Sequence, residues 1–216
     1  MKMSFGVSLS WVLGIMLLPG LALAGGWEER EKGGGATVYS QEKSGSGVDT
    51  IKGIIQLPYT TDEVAKIMTD IPNQKTFVPH MKSIKVIKEE TLANGRVKQL
   101  LHQVNAVPVI SDRDVVISAQ TWSEPRDKGA VWRSTFEAVT KVGPKVNPDI
   151  VRITKMKGQW TVKPTKDGKG SIVVYVFHAE VGGNVPDFVA ESGQVDTVFE
   201  MLKNISARCR KLYGKR

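Results

Sequence analysis

With 216 residues, a formal charge of +8 and one cysteine, the chain is long enough to bury a core without covalent staples and cannot close a disulfide within itself. The basic surplus is spread over Lys32, Lys43, Lys66, Lys82, Lys85, Lys88 and later positions, with "RCRKLYGKR" at the C-terminus the only dense cluster. A spread surplus favours loose attraction to anionic surfaces.

Met1 to Ala24 reads as a secretory signal that is removed: Lys2 precedes a mostly apolar run from Phe5 to Leu23, and Ala22-Leu23-Ala24 supplies the small-x-small pattern of a cleavage site. An uncleaved anchor is the competing reading, since the run approaches the ~18 residues at which spanning becomes feasible. No cysteine follows the run to take a lipid. The mature chain, residues 25–216, is therefore expected to be a single soluble domain, a monomer, in the periplasm. Export makes nucleic acid a poor partner and an anionic membrane surface a sensible one, each Lys or Arg near it contributing about 1 kcal/mol. A basic surface that only aids solubility is the alternative.

"GGWEEREKGGG" predicts one or two helical turns stopped by Gly33 to Gly35, and "ATVYSQEKSGSG" and "VDTIKGIIQLP" alternate as two strands of a hairpin. Thr60-Thr61-Asp62-Glu63 caps a helix whose stripe is Val64, Ile67 and Met68 and which stops at Asp70, before Pro72. "SIKVIKEE" and "RVKQLLHQVNAV" flank Asn94-Gly95, a strong hairpin signal. Strands follow at "DVVISAQTW", "AVWRSTFEAV", a long "IVRITKMKGQWTVKP", and "SIVVYVFHAEV" after the Asp167-Gly168 turn. From Pro186 the period changes: Val195, Val198, Phe199, Leu202, Ile205, Cys209 and Leu212 share one side of a long helix. Successive strands with short turns predict one antiparallel sheet, curled with the last helix as its lid.

The chain shows little sign of catalytic chemistry. His80, His102 and His178 lie on three separate segments, and there is no HExxH, CxxC, GxSxG, phosphate loop or dinucleotide fingerprint. No metal and no cofactor are expected. His102 alternates with Leu100 and Val104 on one strand face, opposite Gln99 and Gln103; it is either a ligand contact or acid-base group, or a satisfied structural histidine. The side of His178 is undecidable. Trp132 and Phe136, then Trp160, then Tyr175 and Phe177 mark three strand faces that either pack as core or line a cavity. In "PVISDRDVV", Arg113 shares the face of Val115, Ile117 and Ala119; buried, it calls for a carboxylate partner, and the "DRD" cluster reads as a strand-entry clamp more readily than a catalytic group.

The order of elements, with "WEE…ATVYSQEKSGSG", "FVPHM", "SDRDVV", "GQWTVKP" and "VGGNVPDFVAESGQVDTVFEMLKNI", resembles the START family of lipid-transfer domains within the helix-grip superfamily. The resemblance spans almost the whole mature chain. It implies an α+β helix-grip fold: a curved antiparallel sheet of seven to nine strands wrapped around the C-terminal helix. A tunnel between them would hold one lipid or similar apolar molecule. The implied cavity lining is Leu100, His102, Val104, Arg113, Val115, Ile117, Trp132, Phe136, Trp160, Tyr175 and Phe177 from the strands, with Phe188, Val195, Phe199 and Leu202 from the helix. The implied gating loop is "TKVGPKVNPD", where Gly143 and Pro144 suit a surface loop and Lys141 and Lys145 would meet phosphate headgroups. Sterol-binding relatives can place an arginine six residues beyond that of the "RD" pair; here that position is Ala119, so such a contact is absent. The function expected is non-catalytic carriage of a lipid across or within the periplasm. A cyclase or aromatase of the same superfamily and an envelope accessory protein are the alternatives.

Overall fold

The computed structural model describes residues 26–106 and 110–216; the expected signal segment lies outside the described residues. In chain order the elements are β1 (Glu28–Gly33), β2 (Ala36–Gln41), β3 (Thr50–Leu57), α1 (Thr61–Thr69), a 3-10 turn (Ile71–Thr76), β4 (Met81–Thr91), β5 (Val97–Asn105), β6 (Arg113–Glu124), β7 (Val131–Ala138), β8 (Val151–Arg152), β9 (Lys155–Pro164), β10 (Ser171–Glu180) and α2 (Asp187–Tyr213). Nine strands run in the order β1-β2-β3-β10-β9-β7-β6-β5-β4, each antiparallel to its neighbours, and two-residue β8 joins β6 in parallel. The count among the described residues is therefore ten, and the first and last strand segments meet at β3 and β10.

Two local expectations are corrected. The stretch after the signal is a strand, because Gly34 and Gly35 both take positive φ (57° and 83°) and form a two-residue hairpin turn joining Gly33 to Ala36. Such turns match the twist of paired strands, so the three glycines continue a sheet instead of stopping a helix. The long strand predicted across 150–164 is two: Val151–Arg152 pairs with the start of β6, and β9 begins only at Lys155.

The other elements follow the pattern. In α1 the Thr60 hydroxyl accepts from the Glu63 N–H while the Glu63 carboxylate accepts from the Thr60 N–H, a capping box that satisfies two end groups. Gly95, at φ 76°, turns β4 into β5. Helix α2 packs on β1, β2 and β3. Val198 and Leu202 lie against Gly53 so closely that an added Cβ would stand 2.5 Å from Val198 Cγ1 and 2.8 Å from Leu202 Cδ1. Ile51, Ile55, Val162, Val173, Val198 and Leu202 form the main core beneath this contact. α1 lies over β7 and β9, and the 3-10 turn over β4, so the far half of the concave face is roofed by different elements.

Candidate functional site

The roofed half encloses a cavity of about 140 Å³. Its floor is the concave face: Gln99, Leu101 and Gln103 on β5, Ile117, Ala119 and Thr121 on β6, Trp132, Ser134 and Phe136 on β7, Met156 and Trp160 on β9, and Tyr175 on β10. Its roof is Met68 and Thr69 of α1, Ile71, Gln74, Phe77 and Val78 of the connecting turn, and Met201 of α2. Gln74 Nε2 donates to Met68 O (3.0 Å) and Asn204 Nδ2 to Phe77 O (3.3 Å), which tie the turn to both helices.

Register places Thr121, Ser134, Trp160 and Tyr175 side by side on four neighbouring strands. Trp160 and Tyr175 stack with ring centroids 3.9 Å apart, and Phe136 and Phe177 stack on Tyr175 at 6.0 and 5.1 Å. The Thr121 hydroxyl donates to Ser134 Oγ (3.2 Å). Tyr175 lines the cavity and is packed among Phe136, Trp160 and Phe177, so burial pushes its phenol well above the usual range and keeps it a neutral donor. Among the described lining residues none is Asp, Glu, Lys, Arg, His or Cys. All four methionines after residue 25, Met68, Met81, Met156 and Met201, line this one cavity.

Of the lining residues expected, Ile117, Trp132, Phe136, Trp160 and Tyr175 are brought together here. Val115 and Phe177 point to the same face but are sealed in the packed layer around it. Val195 and Leu202 are buried between α2 and the sheet, and Phe199 lies on β1 with Lys203 Nζ 4.9 Å from its ring centroid. Phe188, in the first turn of α2, is 75% exposed.

β5 is turned the other way from the expectation. Leu100, His102 and Val104 lie on the convex face, and the glutamines face inward with Leu101. Both faces are covered at this strand, which is why alternation misled. Val139 and Val142 flank a shallow depression over Leu100 on the outside, and Gly143 (φ 105°) presses on Val116, where an added Cβ would stand 2.7 Å from Cγ2. The loop with Lys141, Gly143, Pro144 and Lys145 is therefore laid along the convex face, and none of the four lines the cavity. Arg152 Nη2 donates to Pro144 O at 3.3 Å and so holds the loop to β8.

The "DRD" cluster is a set of ties. Asp114 accepts from Arg152 Nε (2.6 Å) and Nη2 (2.8 Å), and its Oδ2 lies 2.9 Å from His102 Nε2; Asp112 pairs with Lys82 at 2.9 Å. Burial acts to raise the Asp114 carboxyl, but the hydrogen bonds from Arg152 and His102 outweigh it and hold it below the usual range. Arg113 departs from expectation: 3% exposed, it has no carboxylate within 4 Å among the described residues and donates instead to the carbonyls of Ser111 and Gly182. Main-chain dipoles replace the counter-ion, and desolvation lowers its pKa. His178 lies outward, its Nδ1 3.4 Å from Asp49 O. The Cys209 thiol is fully buried and pushed up to about 12 by that burial, which removes it as a nucleophile.

A larger depression of about 420 Å³ lies on the convex face among Ser118, Gln120, Glu137, Lys157 and Gln159. It carries Lys43, Glu137 and Lys157 and is the more open to water, whereas the smaller concave cavity is roofed and has no charged side chain in its described lining, which suits a small-molecule site.

A curved antiparallel sheet closed by a C-terminal helix over an apolar cavity defines a helix-grip binding domain. Its sequence matches the START domain model over residues 18–214, and the chain belongs to the START family. It is similar to an uncharacterized protein of Pseudomonas aeruginosa, 25% identical over 195 residues that cover 89% of this chain and 91% of that one. Its fold is similar to the STAR-related lipid transfer protein fragment of Xanthomonas axonopodis, with 28% identity, a TM-score of 0.72, and coverage of 86% of this chain and 99% of that one. The human StAR-related lipid transfer protein 5 shares the fold at 16% identity and a TM-score of 0.74, covering 88% of this chain and 89% of its own. Fold and family together support a role in binding a hydrophobic ligand.

Proposed function

We propose that this protein binds a lipid or other apolar small molecule between sheet and helix and carries it within the bacterial periplasm without catalysis. The observation that carries the reading is the roofed cavity whose described lining holds no charged side chain. An acid-base mechanism needs a titratable group within hydrogen-bond reach of the substrate. His102 lies outside the cavity and Arg113 is spent on carbonyls, so among the described lining residues Tyr175, held neutral by burial, is the group of that kind that reaches the space.

At about 140 Å³ the cavity is smaller than the roughly 300–1,000 Å³ of ordinary ligand sites, so a whole lipid enters only if the roof moves. The four methionines suit that, because an unbranched thioether repacks at low cost. Passage through the periplasm rests on the signal-like N-terminal segment. Contact with an anionic membrane rests on loop 140–149, where Val142 (50% exposed) and Val146 (60%) stand beside Lys141 and Lys145.

Delipidated protein incubated with a total bacterial membrane extract, repurified and analysed by mass spectrometry, tests the reading. A near-stoichiometric apolar molecule is expected; recovery of none contradicts it.

A further inference from the structure

Three hydrogen-bond donors on the cavity wall have no protein acceptor among the described residues. Tyr175 Oη, Trp160 Nε1 and Trp132 Nε1 make no hydrogen bond among the described residues. Three other aromatic donors find one: Tyr59 Oη donates to Gly214 O (2.7 Å), Tyr213 Oη to Glu63 O (3.1 Å) and Trp122 Nε1 to Glu124 Oε1 (3.0 Å), while Trp27 and Tyr39, away from the cavity beside Lys52, make none among the described residues. Nor are the three sealed in the packing. The fully buried side-chain atoms without a partner are Thr61 Oγ1, Arg113 Nε, Ser171 Oγ and Gln194 Oε1, none on a cavity-lining residue. The three donors therefore keep some exposure, on side chains that all line the cavity. Donors with no protein partner are free to pair with a ligand, and a ligand that fills the space without supplying an acceptor leaves them unmet.

The wall also says what the acceptor is not. A carboxylate or phosphate taken into a space with no Lys, Arg or His would lose its hydration to neutral donors alone. The stack of Phe136, Tyr175 and Trp160 favours a flat apolar body beside the donors. Resting on the carrier reading and sharpening it, we infer that the ligand is uncharged at the end held in the cavity and carries a carbonyl-type oxygen that accepts from Tyr175 and a neighbouring indole. Anionic headgroups, if the ligand has one, stay outside.

Three shape-matched probes separate the possibilities: acetophenone (ketone), ethylbenzene (hydrocarbon) and benzoate (anion). Their size suits the site, since a dry apolar cavity of about 150 Å³ accepts benzene. Binding is read by NMR titration on delipidated wild type, Tyr175→Phe and Trp160→Phe, each checked for a cooperative melt. Acetophenone and ethylbenzene are expected to bind and benzoate not. Tyr175→Phe should weaken acetophenone about fivefold, the worth of one net hydrogen bond, and leave ethylbenzene within about twofold. If benzoate binds as well as acetophenone, or if both Phe variants leave acetophenone unchanged, the ligand class is wrong while the carrier reading stands. If neither ethylbenzene nor acetophenone binds, the cavity is not a ligand site and both readings fall.

Discussion

Asp114 shows how much one side chain can hold. Its carboxylate joins β6 to β5 through His102 and to β8 through Arg152, and Arg152 in turn holds the convex-face loop at Pro144. Removing one member of a buried pair strands the other, so Asp114→Asn should cost about 3 kcal/mol at neutral pH. The sign of the pH dependence follows from its lowered pKa. The stabilisation is complete above the unfolded value of about 3.9 and is lost as pH falls through the lower folded value. Urea denaturation of wild type and variant should therefore show a gap that is constant from pH 7 to about 5 and closes below about 4. A gap independent of pH would mean that shape, not charge, makes the tie. At this scale the sequence was partly legible. "SDRDVV" marks a clamp, but its arginine partner, Arg152, lies 38 positions from Asp114 and no local pattern links them.

At the scale of elements, the contact of α2 with β3 depends on a missing side chain. Gly53→Ala puts a methyl within 2.5 Å of Val198 Cγ1, so the helix must shift, at a cost of about 1–3 kcal/mol. Gly193, inside α2 with nothing within 4 Å of its would-be Cβ, is the contrasting case. Gly193→Ala should stabilise by up to about 1 kcal/mol, because alanine restores helix propensity without a clash. Thermal melts that move in opposite directions would support this account; a neutral Gly53→Ala would refute the close contact.

Most elements were legible because cap, turn and period agreed: Thr60 with Glu63, Asn94-Gly95, and the stripe from Val195 to Cys209. The misses have physical causes. Gly33 to Gly35 reads as a breaker until its partner strand is known. The period-2 pattern of β5 carries no direction when one face is covered by α1 and the turn and the other by loop 139–150.

For the whole molecule, the order of elements and the motifs sufficed for the fold family, while the cavity needed coordinates. Its wall is assembled from eight elements and the connecting turn, and from β4 onward eleven or more positions separate the groups that successive elements contribute. One signal was available and unread: every methionine of the described chain belongs to that wall. Those methionines supply the most direct test that the ligand occupies the concave cavity. In protein labelled with 13C at the methionine methyls and loaded with the molecule recovered from membrane extract, the signals of Met68, Met81, Met156 and Met201 should all shift on loading. They should also show intermolecular contacts to the ligand. A loaded protein whose four methyl signals stay where they are in the ligand-free form would place the ligand elsewhere and contradict the account.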